Sequence, residues 1–237
     1  MKKCVIFSVR LSVIIIMCLT TIAIVVFSSF VVSKTHSANS YIFTIAIDAG
    51  HGGRDVGCSG VTTSVNESDI NLSIALKLRQ LLKDYGFNVV LTRSNKDGLY
   101  DSNATNFKLS DMNKRVEIIK KAKPDILISI HQNSFEDGSL HGAQVFYQEN
   151  DKKGMMLASV MQEQLKNTLG NVRGESNSSD LYLLKESGVL GVLIECGYLT
   201  NVEDENRLIS DGYQLEIAYA ILSGVIRYLV VVGSVTY

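Results

Sequence analysis

The chain has 237 residues, 46% of them hydrophobic and 20% charged, enough for one domain with a sizeable core and short for two. Its 23 Lys and Arg against 24 Asp and Glu leave a formal net charge of −1, which excludes nucleic acid as a partner held by excess positive charge. Of the four cysteines, Cys4 and Cys18 fall in the N-terminal segment, so only Cys58 and Cys196 remain beyond it and a disulfide scaffold is excluded.

Lys2, Lys3 and Arg10 precede an uncharged run from Leu11 to Val32. At about 1.5 Å per residue that run spans a hydrocarbon core of roughly 30 Å. The flanking charges predict a cytoplasmic N-terminus and export of everything after Ser33. Residues 1–33 are read as a signal-anchor or a signal peptide: the length favours an uncleaved anchor, while Val31-Val32-Ser33 offers small residues for a signal peptidase. Residues 34–40 (KTHSANS) form a polar linker, and a single domain is predicted over 41–237.

Within 41–237, apolar runs alternate with amphipathic stretches, which predicts an α/β fold with a mostly parallel sheet flanked by helices. Phe43–Asp48 is the first predicted strand. The loop Gly50–Ser64 follows, and then a helix over Asp69–Tyr85, where Ile70, Ile74, Leu78, Leu81, Leu82 and Tyr85 recur at helical spacing and Gly86 supplies the stop. Phe87–Leu91 is the second strand, followed by a helix over Ser110–Ala122 with Ser110 as its cap and Pro124 beyond its end. Ile126–Ile130 and Ala143–Tyr147 are further strands. A helix over Lys152–Thr168 is expected to turn Met156, Val160 and Leu165 inward. Gly170–Ser179 reads as a loop, Val189–Ile194 as a strand, and Asp211–Val230 as a helix apolar enough to be buried along one side of the sheet.

Two predicted strands end in histidine. The first runs into Asp48-Ala49-Gly50-His51-Gly52-Gly53-Arg54-Asp55, and Ile126–Ile130 runs into His131-Gln132-Asn133. Parallel sheets gather ligands at the C-terminal ends of their strands, so His51 and His131 can meet although 80 positions apart, and neutral imidazole suits zinc. The loop matches neither phosphate-binding glycine pattern, so a nucleotide is set aside. Glu67 opens the first helix, which returns to the same sheet edge. It is either a third ligand, completing a tetrahedral site with one open position, or a favourable charge at a helix N-terminus; spacing leaves both open. Glu195 follows an apolar strand directly, and an ionisable group there is costly to bury unless paired or functional. Beside a metal it could move a proton between water and a leaving amine.

IDAGHGGRDVG, the glutamate at the first helix, Thr92-Arg93, Arg115, SIHQNS, HGAQVFY, DLYLLK and LIECGYLTN, in this order from Ile45 to Tyr228, resemble the zinc-dependent N-acetylmuramoyl-L-alanine amidases often labelled amidase type 3. The resemblance implies one zinc ion on His51, Glu67 and His131, catalytic Glu195, and hydrolysis of the amide between muramic acid and L-alanine in peptidoglycan. The short chain without added wall-binding repeats looks most like the spore-cortex amidases of endospore-formers, which prepare muramic-lactam. Alternatives are another zinc peptidase or deacetylase acting on the wall, although no HExxH is present, and a wall-binding module without chemistry. Ala49 stands where the family commonly has Pro, and Lys121-Ala122 where it often has Ala-Asn. Cys58 and Cys196 are expected near the metal, as small buried side chains, a disulfide or a stray thiolate. Asp48 and Asp55 are candidate partners of the histidines. Arg93 and Arg115 are open between binding peptide carboxylates and structural roles. Two histidines and one carboxylate are not the tightest zinc design, which leaves room for an accessory or activator protein.

Overall fold

Strand β1 (Thr44–Ala49), apolar on one face and small or polar on the other, lies one strand in from the edge of the sheet. The computed structural model describes residues 43–170, 172–178 and 180–233, with Thr20 alone before them. The predicted membrane segment 1–33, apart from Thr20, and the linker 34–40 lie outside the described residues. In chain order follow α1 (Glu67–Asp84), β2 (Asn88–Leu91), α2 (Phe107–Ala122), β3 (Ile126–Asn133), β4 (Gln144–Gln148), α3 (Lys152–Leu169), β5 (Ser176–Ser178), α4 (Tyr182–Ser187), β6 (Gly191–Tyr198), α5 (Val202–Leu208) and α6 (Asp211–Val231).

The strands form one sheet in the order β2-β1-β3-β6-β4-β5. β2, β1, β3 and β6 are parallel, and β4 runs antiparallel beside β6 with β5 parallel to it at the edge. The chain is thus an α/β protein with a mostly parallel sheet. Ile42–Tyr237 clusters as one compact unit, and both of its cores are built from residues of that unit.

Alternation along the strands divides the sheet into two unlike faces. One buries Ile45, Ile47, Ile128, Ile130, Val192 and Ile194 against α1, α3 and α6. The other carries Ala46 and Leu127 in a smaller apolar cluster under α2 and α4. α6 is long and apolar enough to cross a membrane, but Ile217, Ile221, Val225 and Leu229 lie in the larger core. Gly224 lets it approach α3, since a Cβ there would strike Met161.

Several boundaries differ from expectation. Asn106, not Ser110, caps α2: its Oδ1 accepts from Leu109 N–H at 3.0 Å, while Ser110 Oγ accepts from Asp101 N–H. The inward stripe of α3 is Leu157, Ala158, Met161 and Leu165; Met156, expected inside, is 45% exposed. The expected loop 170–179 contains β5, whose polar SNS sequence shows no alternation. α4 and α5 were not expected, at six and seven residues too short to show a helical period.

Candidate active site

β3 and β6 continue past the positions where their apolar runs stop, so His131 and Glu195 sit within strands rather than after them. They are register partners on neighbouring parallel strands, which points both side chains to the same face. A bulge follows between His131 and Asn133. His51 leaves the end of β1 with a left-handed backbone, φ 61°, a conformation that costs a non-glycine residue energy unless its surroundings impose it.

The imposing groups are two buried arginines. Arg93 donates from Nε to Ala49 O at 2.8 Å and from Nη2 to Gly50 O at 2.9 Å. Arg115 donates from Nη1 to Ala49 O at 2.7 Å and from Nη2 to His51 O at 2.6 Å. Three successive carbonyls are thereby fixed. Arg115 is in turn paired with Asp48 at 2.7 Å and with Asp111, one helical turn earlier on α2. Asp48 also accepts from Thr92 Oγ1 at 2.6 Å and Ser129 Oγ at 2.8 Å. Burial pushes the Asp48 carboxyl up, but Arg115 and Thr92 outweigh it and hold the pKa at about 2. Both arginines are thus structural, and Asp48 supports the loop through Arg115 rather than touching a histidine.

Glu67, 3% exposed, is the centre of the site. Cys58 N–H donates to Oε2 at 3.0 Å, and Gln132 N–H and Asn71 Nδ2 donate to Oε1 at 3.1 and 3.2 Å. The same Oε1 lies 3.2 Å from His51 Nε2 and 3.1 Å from His131 Nδ1. The imidazole rings stand 5.0 Å apart at 75°. Burial raises the Glu67 pKa, yet the two histidines bring it well below the carboxylate range. Burial likewise opposes charge on His51, but Glu67 and Asp55 raise its pKa to about 9. Asp55 Oδ2 is 3.0 Å from His51 Nδ1, near enough for attraction although not aligned as a hydrogen bond.

His51, Glu67 and His131 are the group of described residues that could hold a metal ion, each offering an atom within 4.8 Å of the others. Ligand atoms about 2.0–2.1 Å from a tetrahedral ion stand roughly 3.4 Å apart, and the two measured separations from Glu67 Oε1 are close to this. One hard carboxylate and two imidazoles also suit zinc chemically. Neither cysteine joins the group. Cys196 turns to the larger core, and Cys58 Sγ faces Gln132 O at 3.6 Å. Both are free thiols, and burial, with Glu67 adding to it, pushes Cys58 up to about 12.

Glu195, unlike Glu67, has a carboxylate oxygen that no hydrogen bond among the described residues holds. Its Oε2 is buried without a hydrogen-bond partner, although the residue as a whole is half-buried. Burial raises its pKa to about 7, further lifted by Glu67 and opposed by the histidines. A cleft of about 610 Å³ opens beside His51 and His131, floored by Leu193 and Ser129 and walled by Leu181, Tyr182 and Leu184 around α4. Lys108 at its rim lies 3.4 Å from Asp55.

The sequence pattern of the N-acetylmuramoyl-L-alanine amidase family matches residues 45–227. The chain belongs to this family. It is an N-acetylmuramoyl-L-alanine amidase, a hydrolase of cell-wall peptidoglycan. It is 31% identical over 194 residues to the germination-specific N-acetylmuramoyl-L-alanine amidase of Bacillus subtilis, covering 80% of this chain and 81% of that one. The structure of the CwlD amidase from Clostridioides difficile in complex with the GerS lipoprotein superposes with a TM-score of 0.77 at 38% identity, over 80% of this chain and 99% of that one. The catalytic domain of the amidase CwlV from Bacillus (Paenibacillus) polymyxa superposes at 0.70 with 30% identity, over 80% and 99%.

Sequence reasoning missed Arg115 as the clamp on His51. The signal was present: Asp111, Arg115 and Ile119 fall on one face of α2, and all three are buried. The roles of Asn71, Gln132 and the Cys58 N–H had no such signal, because each depends on a contact made only after folding.

Proposed function

We propose that the chain is a zinc amidase in which His51, Glu67 and His131 hold the ion and Glu195 is the general base and acid. The observation that carries this is the unpartnered, buried Glu195 Oε2 one strand away from His131, beside three converging ligand atoms. Zinc bound there supplies a Lewis acid for the amide carbonyl and acidifies water. Glu195, raised towards neutrality by burial, accepts a proton from the attacking water and returns it to the departing L-alanine nitrogen. Asp55 orients the His51 ring. The apolar wall around α4 limits the water that reaches the scissile amide.

Similarity to a germination-specific amidase and to CwlD supports action on spore cortex, and the N-terminal charges and apolar run support export with a membrane tether. The CwlD structure is a complex with the GerS lipoprotein, which supports an accessory partner for this chain, and a two-histidine, one-carboxylate site leaves room for such a partner to tighten metal binding. Elemental analysis of the purified domain is expected to give about one zinc per chain, lost in His51→Ala; unchanged metal in that variant removes His51 from the site. Digestion of peptidoglycan is expected to release free L-alanine amino groups. Intact muramoyl-alanine bonds alongside cleaved peptide or acetyl groups would replace the amidase with a peptidase or deacetylase.

A further inference from the structure

At the opposite end of the sheet from the site, β1, β3 and β6 begin, and a groove of about 500 Å³ opens there between α3 and α6. Its floor is Tyr228 and Leu229, both buried. Its rim is apolar and open: Met156 is 45% exposed and Val232 41%, and Val231 next to them is 49% exposed. Lys152 and Lys153 also line it. These two exposed lysines occupy the first turn of α3, directly after Asp151, which caps the helix and supplies the negative charge its N-terminus favours. Among the described residues no carboxylate pairs with either. The acids nearby are engaged with backbone: Asp125 accepts from Thr44 N–H at 2.8 Å and Asp151 from Lys153 N–H at 3.0 Å. Phe43, where the chain enters β1, lies in the same groove.

The geometry points to this face as a lipid-docking surface, with Met156, Val231 and Val232 entering the headgroup layer of an anionic bilayer and Lys152 and Lys153 meeting its phosphates. Exposed apolar groups flanked by unpaired lysines match a surface that is apolar beneath and anionic above. The chain upstream of Phe43 carries the uncharged run Leu11–Val32 with basic residues before it, so continuity of the chain favours a bilayer over a protein partner at this end. In that part the inference rests on the proposed tether. Docked in this way, β1 stands between bilayer and site, and at about 3.3 Å per residue His51 is held roughly 20 Å above the headgroups with its cleft facing outward.

The test is flotation of residues 41–237, which contain both cores, with vesicles of phosphatidylglycerol or of phosphatidylcholine. Binding to the anionic vesicles is expected, weakening with salt. Lys152→Gln/Lys153→Gln should reduce it by about 25-fold, roughly fivefold per lysine, and Met156→Ser should reduce it further, while Lys96→Gln near the other end leaves it unchanged. Absence of binding, or equal binding by the lysine variant with its unfolding temperature unchanged, overturns the surface. Because residues 1–40 are missing from this assay, the tether fails separately: extraction of the full chain from membranes by alkaline carbonate overturns the anchor while vesicle binding by the domain stands.

Discussion

On the face covered by α1, α3 and α6, strands β1, β3 and β6 present Ile45, Ile47, Ile128, Ile130, Val192 and Ile194; one position along the same strands, the opposite face presents Asp48, Ser129, His131 and Glu195. The first set is held by removal of carbon from water, about 1.5–3 kcal/mol per large side chain, and that force has no direction. The second is held by hydrogen bonds and paired charges, which are directional. A single sheet therefore combines a tolerant face that supplies stability and an intolerant one that supplies geometry.

The sharpest separation of the two is Glu195→Gln. Turnover of peptidoglycan is expected to fall by about 10²–10⁴-fold, while zinc content is retained and thermal stability holds or rises, since a buried carboxylate without a partner is removed. Near-normal turnover would take Glu195 out of the chemistry. In the wild type, activity should rise with pH along an acid limb at or below the Glu195 pKa of about 7 of the metal-free site, because a nearby dication can only lower it.

Arg115→Met tests whether the directional face also contributes to folding. Asp48 would be left buried without its cation, at a cost of about 3–5 kcal/mol in denaturant unfolding, and the His51 turn would lose two of its carbonyl bonds. Stability unchanged by this substitution would refute the clamp. A milder version is acid titration. The Asp48 carboxyl is held below its ordinary value, at about 2, so its contribution is complete above about pH 4 and is lost as pH falls towards 2, about 2 kcal/mol in all. Asp48→Asn should flatten that part of the stability profile. On the tolerant face, Ile128→Val is expected to cost only about 1 kcal/mol and to leave turnover per folded molecule unchanged.

The tolerant face was also the legible one. Repeated Ile and Val in β1, β3 and β6 and the stripe Ile70, Ile74, Leu78 and Leu82 in α1 identify a mostly parallel sheet flanked by helices from sequence, though not the order of its strands, because burial leaves a periodic trace. β5 left none: it is three polar residues recruited to the edge by backbone pairing with β4. The strand ends were placed too early at Ile130 and Ile194 for a related reason. Apolar content stops there, but the ladder continues to Asn133 and Tyr198, and hydrogen bonding between strands does not depend on side-chain polarity. Glu67 was ambiguous because an acid at a helix start is ordinary. What distinguishes it is convergence of Cys58, Asn71 and Gln132 from three separate segments on one carboxylate.

Two positions in the site work by having no side chain. A Cβ on Gly50 would collide with the imidazole of His131, and one on Gly57, whose φ is +72°, would collide with the carboxylate of Glu67. A saturation screen scored on wall hydrolysis should therefore mark Gly50 and Gly57 as severely as a ligand, although neither bears a group that can bind or react. For an inhibitor the same absence is no opening: Gly50 lines the cleft, but its N–H donates to Ile130 O, its carbonyl accepts from Arg93 and Asn71, and the His131 imidazole fills the space of the missing Cβ, so a ligand must bind the site without a backbone contact at this residue.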